Sequence, residues 1–506
     1  LYLDHTRRNT TEQLLGAHPS ELSVLLISTY ELGRQPFGLA SPAAWLRRDG
    51  FRVTCADLAL SPFPHDAARR AHLVAFHLPM HTATRLAMPL IARVRALNPD
   101  AHICCYGLYA SPNAQLLRSL GVGTLISGEF EPELLRLCNQ LRLAECSVDE
   151  RHSPAVGEPA GATTDSPRVD GPAGVTTDAP GVDKLAVVTT ARQRFLVPDR
   201  SDLPALAEYA QLRKTDGTSV TVGYVEASRG CKHLCRHCPV VTVYGGQFRV
   251  VERDVVLEDI RRQVEAGAGH ITFSDPDFFN GIGHAIPIIK ALAAEFPQLT
   301  YDVTVKVEHL VRYEDRLDLL RETGCAFVTT AVEAGDDRVL ELLDKGHTRA
   351  DFVHVAQTFS RLGLTLNPTF VTFTPWTSPE SYRDLLRLLF ELDLVGSVAP
   401  VQLAIRLLIP AGSRLLELPE VQSVVGPFDA ERLGYPWTHP DPNVDHLFER
   451  VFALVSHGVA EDQPREQIFS DVWHIAHEAA DEPVPDLPDH APAAVTVPYL
   501  TEPWYC

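Results

Sequence analysis

The chain has 506 residues, too many for one ordinary core at roughly 150 residues per domain, and its 45 % hydrophobic and 22 % charged content marks a globular protein rather than a disordered or fibrous one. A net charge of −20 with no Lys/Arg cluster argues against a nucleic-acid partner and favours a small-molecule substrate. The longest apolar runs, Leu22 to Ile27 and Val401 to Ile409, fall far short of the ~18 residues that cross a bilayer, and no apolar stretch follows Arg7 and Arg8. The expectation is a cytoplasmic protein with no membrane partner. Its first residue is Leu1 rather than Met, which fits an alternative start, processing or truncation.

From about residue 20 to 146, short apolar runs alternate with helix-like stretches, the pattern of a parallel α/β sheet. The expected strands are Leu22 to Ser28, Phe51 to Asp57, Leu73 to His77, His102 to Tyr106 and Thr124 to Ser127. Helices are expected over Ala40 to Arg48 and Thr84 to Leu97, where Leu86, Leu90, Ile91 and Val94 recur at helical spacing. A flavodoxin-like domain follows from this order. Residues 147–185 are rich in Pro, Ala, Gly, Thr and Asp without periodicity and read as a disordered linker.

Residues 186–425 resume the alternation, with expected strands Val220 to Glu226, His270 to Phe273, Leu299 to Val305, Phe327 to Val332, Thr369 to Phe373 and Val401 to Leu408. Leu257 to Ala266 and Ser378 to Leu392 read as intervening helices. Six such units suit a partial (β/α)6 barrel, whose chemistry collects at the C-terminal ends of its strands. Residues 426–506 form a helical extension, with helices near Val444 to Val459 and Gln467 to Glu478, and then a Pro-rich tail.

Of the ten cysteines, Cys231, Cys235 and Cys238 stand together in a C-x3-C-x2-C array directly after the first barrel strand. In a long chain without secretory features, clustered cysteines suggest metal rather than disulfides. Three thiolates can hold three irons of a cubane and leave the fourth iron open to a cofactor. A structural zinc site with His233 or His237 as fourth ligand is the alternative, although no second C-x2-C knuckle accompanies it.

The cysteine array, the preceding Ser228-Arg229-Gly230 and the six-unit barrel resemble the radical S-adenosylmethionine (SAM) superfamily, and within it the branch with an N-terminal cobalamin (B12)-binding-like domain. The resemblance implies a [4Fe-4S] cluster, S-adenosyl-L-methionine as cofactor, an external electron donor such as flavodoxin or ferredoxin, and transfer of a methyl or other SAM-derived group. Hydrogen abstraction or rearrangement on a scaffold domain, and a non-enzymatic metal or cobalamin sensor, are the competing functions. The resemblance also puts His237 beside the adenine, Asp275 of Ser274-Asp275-Pro276-Asp277 near the SAM amino group, and Glu333 of Val332-Glu333-Ala334-Gly335 at the ligand-facing end of strand four. The alternative for Glu333 is a helix N-terminal carboxylate favoured by the macrodipole. Lys306 and Glu308 could be a solvated pair, and Pro410-Ala411-Gly412-Ser413 a ligand-facing or a plain turn.

For cobalamin the signals are mixed. The first loop, Thr29-Tyr30-Glu31-Leu32-Gly33, lacks the cobalt-binding histidine of many such modules, and the fourth reads Gly107-Leu108 instead of Gly-Gly, whereas Ser127-Gly128-Glu129 matches the usual closing turn. Cobalamin binding and a retained scaffold both stand, and His77 and His81 read as structural. The end of the chain at Cys506 resembles a subgroup with a Cys-Cys-Ala-Glu-Pro or Cys-selenocysteine-Ala-Glu-Pro tail, or it is an ordinary frayed terminus. The catalytic residue is not identifiable from the sequence.

Overall fold

The computed structural model describes residues 22–152, 186–485 and 497–501. Segment 153–185 of the expected linker, and the terminal Cys506, lie outside them.

The first sheet contains β1 (Ser23–Ser28), β2 (Arg52–Asp57), β3 (Leu73–His77), β4 (His102–Tyr106), β5 (Thr124–Gly128) and β6 (Ala186–Thr189), all parallel, in the order 2-1-3-4-5-6. The first five follow the flavodoxin order. Side chains alternate between two buried faces: Leu25, Ile27, Val74, Phe76, Ile103 and Cys105 pack on one, and Leu26, Leu73, Ala75, Cys104 and Tyr106 on the other. That double burial explains why these strands read as continuous apolar runs. Two features differ from the sequence expectation. Helix Glu131–His152 runs on into the expected linker, and Ala186–Thr189, assigned by sequence to the barrel region, instead extends the first sheet by pairing with β5.

The second sheet has the order 14-13-12-11-8-7-15. Its five parallel strands are β8 (Ser219–Val225), β11 (His270–Phe273), β12 (Thr300–Thr304), β13 (Cys325–Glu333) and β14 (Leu366–Phe370). β7 (Gln211–Arg213) and β15 (Tyr499–Leu500) extend it antiparallel, so a piece of the tail completes its edge. The short pair β9 (Ser228–Gly230) and β10 (Phe248–Val250) flanks the cysteine loop. Helices cover the outside. Pro379–Glu391 is typical: Ser378 caps it by accepting from the Ser381 N–H, Pro379 opens it, and Leu385, Leu386 and Leu389 bury one face. Each such leucine contributes about 1.5–3 kcal/mol.

The sixth expected strand does not form. Val401–Leu408 is represented by a single bridge between Phe373 and Arg406, after a 3-10 turn over Pro400–Ala404. Proline at 400 cannot donate to a ladder, and the Gln402 side chain instead accepts the Phe370 N–H at 2.9 Å. The barrel is therefore a five-stranded half-barrel with a reduced sixth unit. No helix among the described residues is long and apolar enough to cross a membrane.

Candidate cofactor site at the half-barrel mouth

The cysteine loop leaves β8 through Glu226 to Gly230 and is anchored on several sides. Lys232 donates its backbone N–H to Asn280 Oδ1 (3.3 Å) and its Nζ to the Asn280 carbonyl (2.6 Å). The Arg236 guanidinium donates to the Leu342 carbonyl (2.8 Å), its backbone N–H to the Leu343 carbonyl (3.0 Å), and Arg414 to the Leu234 carbonyl (2.9 Å). The turn Pro410-Ala411-Gly412-Ser413 also belongs here, since Ser413 Oγ donates to the Arg236 carbonyl (3.4 Å). Gly412 adopts φ +74° and a Cβ there would come within 3.0 Å of Thr242.

All three cysteines are reduced and at least partly buried. Asn280 Nδ2 donates to Cys231 Sγ (3.5 Å) and Lys306 Nζ to Cys235 Sγ (3.7 Å). Burial pushes the Cys238 thiol up to about 11, and the neighbouring sulfurs of Cys235 and Cys231 push the same way. Loading metal there releases protons.

Two carboxylates with cationic partners border this loop. Glu333, at the end of β13, has φ +74°, a left-handed conformation rare for a residue with a Cβ, and the β13–β14 register shifts beside it. Its Oε1 lies 3.1 Å from His237 Nε2 and 3.2 Å from Lys345 Nζ. Burial opposes its charge, but Lys345 and His237 prevail and hold it well below the usual carboxylate range. It does not cap the following helix; Asp336 does that, accepting from the Arg338 and Val339 N–H groups. Asp277 Oδ2 meets His309 Nδ1 at 2.6 Å and His233 Nε2 at 3.5 Å. Against its burial, these two histidines hold Asp277 at about 2.

Lys306 is buried, 3.6 Å from Glu308, and is no solvated residue. Behind both lysines lies His347, pushed down to about 4 by burial and by Lys345 and Lys306. Asp275 has other partners: Oδ2 accepts the Ala227 N–H at 3.0 Å and Oδ1 the Ser228 hydroxyl, and burial raises it to about 7.

Of the residues singled out by sequence, the structure thus gathers Cys231, Cys235, Cys238, His237, Glu333 and Lys306, while Asp275 braces the strand exits. Sequence reading passed over Asp277, His309, Lys345 and His347. The available signal was Lys345-Gly346-His347 just before a helix capped by Thr348 and Asp351; Gly346 has φ +73° and a Cβ there would come 2.8 Å from Glu308.

The donor set suits an iron–sulfur cluster with SAM beside it: three soft thiolates, two buried ammonium groups able to face a carboxylate, and buried carboxylates able to face an ammonium. Cys231, His233 and Asp277 also bring ligand atoms within 4.8 Å of one another, a geometry open to a harder metal. His237 is engaged by Glu333 rather than by a metal set.

At the C-terminal edge of the first sheet, Tyr106, His77 and Phe130 stack together with ring centroids 5.1–5.8 Å apart. The Tyr106 hydroxyl donates to the Gly38 carbonyl (2.8 Å), and a Cβ on Gly38 would strike the His77 ring at 2.0 Å. Ser127 Oγ closes on the Gly107 carbonyl (2.7 Å). These side chains are buried against one another at that edge. Any cobalamin reading of this chain rests on its fold.

Residues 225–391, which carry the cysteine loop and most of the half-barrel, match the Radical SAM superfamily. The hopanoid C-3 methylase of Methylococcus capsulatus is 27 % identical over 160 residues, 32 % of this chain and 30 % of that protein. The chain thus matches under a third of that relative's length. Among solved structures, the cobalamin-dependent SAM radical enzyme OxsB with aqua-cobalamin bound aligns with a TM-score of 0.63 at 14 % identity, covering 87 % of this chain and 67 % of that one. The radical SAM methyltransferase TsrM from Kitasatospora setae, with cobalamin and a [4Fe-4S] cluster bound, aligns at 0.54 and 18 %, covering 74 % and 73 %. Both place the two domains of this chain in the fold of cobalamin-binding radical SAM enzymes.

Proposed function

We propose that this chain is a radical SAM enzyme that transfers a methyl or other SAM-derived group to a small molecule. The observation that carries the reading is the C-x3-C-x2-C loop, with Cys235 Sγ 3.7 Å from the buried Lys306, beside the buried pair Glu333–Lys345. A cluster on the three thiolates, with one iron open, supplies a low-potential electron for reductive cleavage of the SAM sulfonium.

The chain's own residues do the holding. Lys306 and Lys345 offer positive charge to the SAM carboxylate, and Glu333, already ionised, offers an acceptor to its ammonium. His237 lends its ring, oriented by Glu333, to the adenine side. Asp277, charged between His233 and His309, keeps the local charge balanced beneath the loop. We assign Asp275 to bracing Ala227 and Ser228, because both of its oxygens are already engaged. Relatives named as methylases and methyltransferases support group transfer, the acidic chain supports a small substrate, and reductive cleavage of SAM requires an external electron donor.

The test is incubation of the reconstituted, reduced protein with SAM, with and without cobalamin, followed by mass spectrometry. S-adenosylhomocysteine together with 5′-deoxyadenosine supports methyl transfer, and 5′-methylthioadenosine supports transfer of the aminocarboxypropyl fragment. Intact SAM in every arm, with zinc in place of iron, would establish the binding-module alternative instead.

A further inference from the structure

Arg229 stands two residues before the first cysteine and is almost wholly buried, yet the proposed chemistry does not use it. Its guanidinium spends every nitrogen on carboxylates. Nε donates to Glu226 (2.6 Å), NH1 to Glu129 (3.2 Å) and Glu131 (2.9 Å), and NH2 to Glu131 (2.6 Å). Phe130 and Phe195 lie 4.9 and 5.0 Å from its centre, and Phe37 lies 5.5 Å away. Glu129 and Glu131 follow β5 of the N-terminal sheet, so the fork joins that domain directly to the root of the cysteine loop.

The carboxylates are themselves fixed. Glu131 accepts from Ser41 Oγ (2.6 Å), and Gln193 donates to both glutamates at 3.0 Å. The Tyr244 hydroxyl, from the helix that follows Cys238, donates to Glu129 (3.1 Å). The residues on either side of Arg229 are equally constrained. Ser228 is bound by Asp275, and Gly230 has φ +72°, where a Cβ would lie 2.3 Å from the Gln247 carbonyl and 2.6 Å from the Tyr244 ring. The direction in which the chain reaches Cys231 is thus set three times over.

We propose that the N-terminal domain serves as a clamp on the cluster loop, with Arg229 as the positioning residue through which Glu129 and Glu131 hold Cys231 in place. A buried ion pair is weak evidence for stability but a good device for fixing one arrangement. The bidentate fork supplies direction that a lysine could not. This gives the domain a role that does not depend on its binding a ligand. It rests on the reading of the three cysteines as cluster ligands.

The test compares Arg229→Lys with Arg200→Lys in the full, anaerobically reconstituted chain. Arg200 also bridges the domains, donating to Asp259 (2.9 and 3.0 Å) and Gln35 (3.0 Å), but is remote in sequence from the cysteines. Iron loss to a chelator, the electron paramagnetic resonance line shape of the reduced cluster and the unfolding transition are read on each. Arg229→Lys is expected to lose iron roughly tenfold faster or more, as when a partner of a metal ligand is removed, with an altered line shape, while Arg200→Lys keeps both native. Equal effects in the two variants, or none in Arg229→Lys, overturn the clamp. If Arg229→Lys does not fold, Glu129→Gln is judged against Arg200→Lys by the same criterion. A wild type that takes up no iron overturns the cluster reading itself.

Discussion

Glu333 combines two costs, a left-handed backbone and a buried charge, that only a specific partner set can offset. Replacing it with glutamine keeps the shape and the backbone strain but leaves Lys345, whose side chain is 4 % exposed, without its counter-ion. Breaking a buried pair from one side costs about 3–5 kcal/mol. Glu333→Gly forfeits the same charge but recovers about 1 kcal/mol of left-handed strain, so it should be the less destabilised of the two. Adding Lys345→Met to Glu333→Gln removes the stranded ammonium and should recover most of the loss, a coupling that a double-mutant cycle reads directly. Urea denaturation of the wild type, Glu333→Gln, Glu333→Gly, Lys345→Met and the double variant measures these differences, and calorimetric titration with SAM measures the functional side. Losing one charge-assisted contact of about 1.5 kcal/mol weakens SAM roughly tenfold, and the double variant should stay weak despite its regained stability. If Glu333→Gln unfolded within about 0.5 kcal/mol of wild type and bound SAM unchanged, the pair would be neither buried in effect nor part of the site.

Cys235→Ala should fold but fail to assemble a cluster, seen as loss of the visible charge-transfer absorption after reconstitution; an unchanged spectrum would remove Cys235 from the ligand set. Lys306→Met should lower the cluster's reduction potential, because a buried positive charge 3.7 Å from Cys235 favours the reduced state; a potential that rises contradicts this. Burial raises Asp57 from 3.8 to about 6 although Tyr209 donates to it at 2.9 Å. The folded chain therefore keeps a proton between pH 4 and 6 that the unfolded chain releases, and stability declines as pH rises through that window. Asp57→Asn should abolish the decline, so the melting-temperature difference between variant and wild type should shrink on going from pH 7 to 4. A pH-independent difference would show that the group is not desolvated.

What the sequence disclosed follows physical lines. β1 to β5 lie within a residue or so of their expected positions: β1, β3, β4 and β5 are buried on both faces, while β2, at the sheet edge, exposes Arg52 and Thr54 and buries Val53 and Cys55. The cysteine array was legible because three cysteines fall within eight residues of chain. Contacts that depend on folding were not legible: Lys345 reaches Glu333 across a helix, and Arg229 finds Glu131 from 98 residues away. Short edge strands such as β6 and β15 carry too little pattern to be noticed. Val401 to Leu408 shows the opposite error, an apolar run that packs as a 3-10 turn because Pro400 and the Gln402 side chain replace a ladder. Asp275 was favoured over Asp277 by motif likeness, whereas burial beside His233 and His309 marks Asp277 as the charged one.

The most direct test of the central claim is electron paramagnetic resonance of the anaerobically reconstituted, dithionite-reduced protein before and after SAM is added. A reduced-cluster signal that changes on SAM addition and is absent in Cys235→Ala, with iron matched by sulfide, is the expected result. Zinc in the same protein, with no signal and no response to SAM, would contradict it.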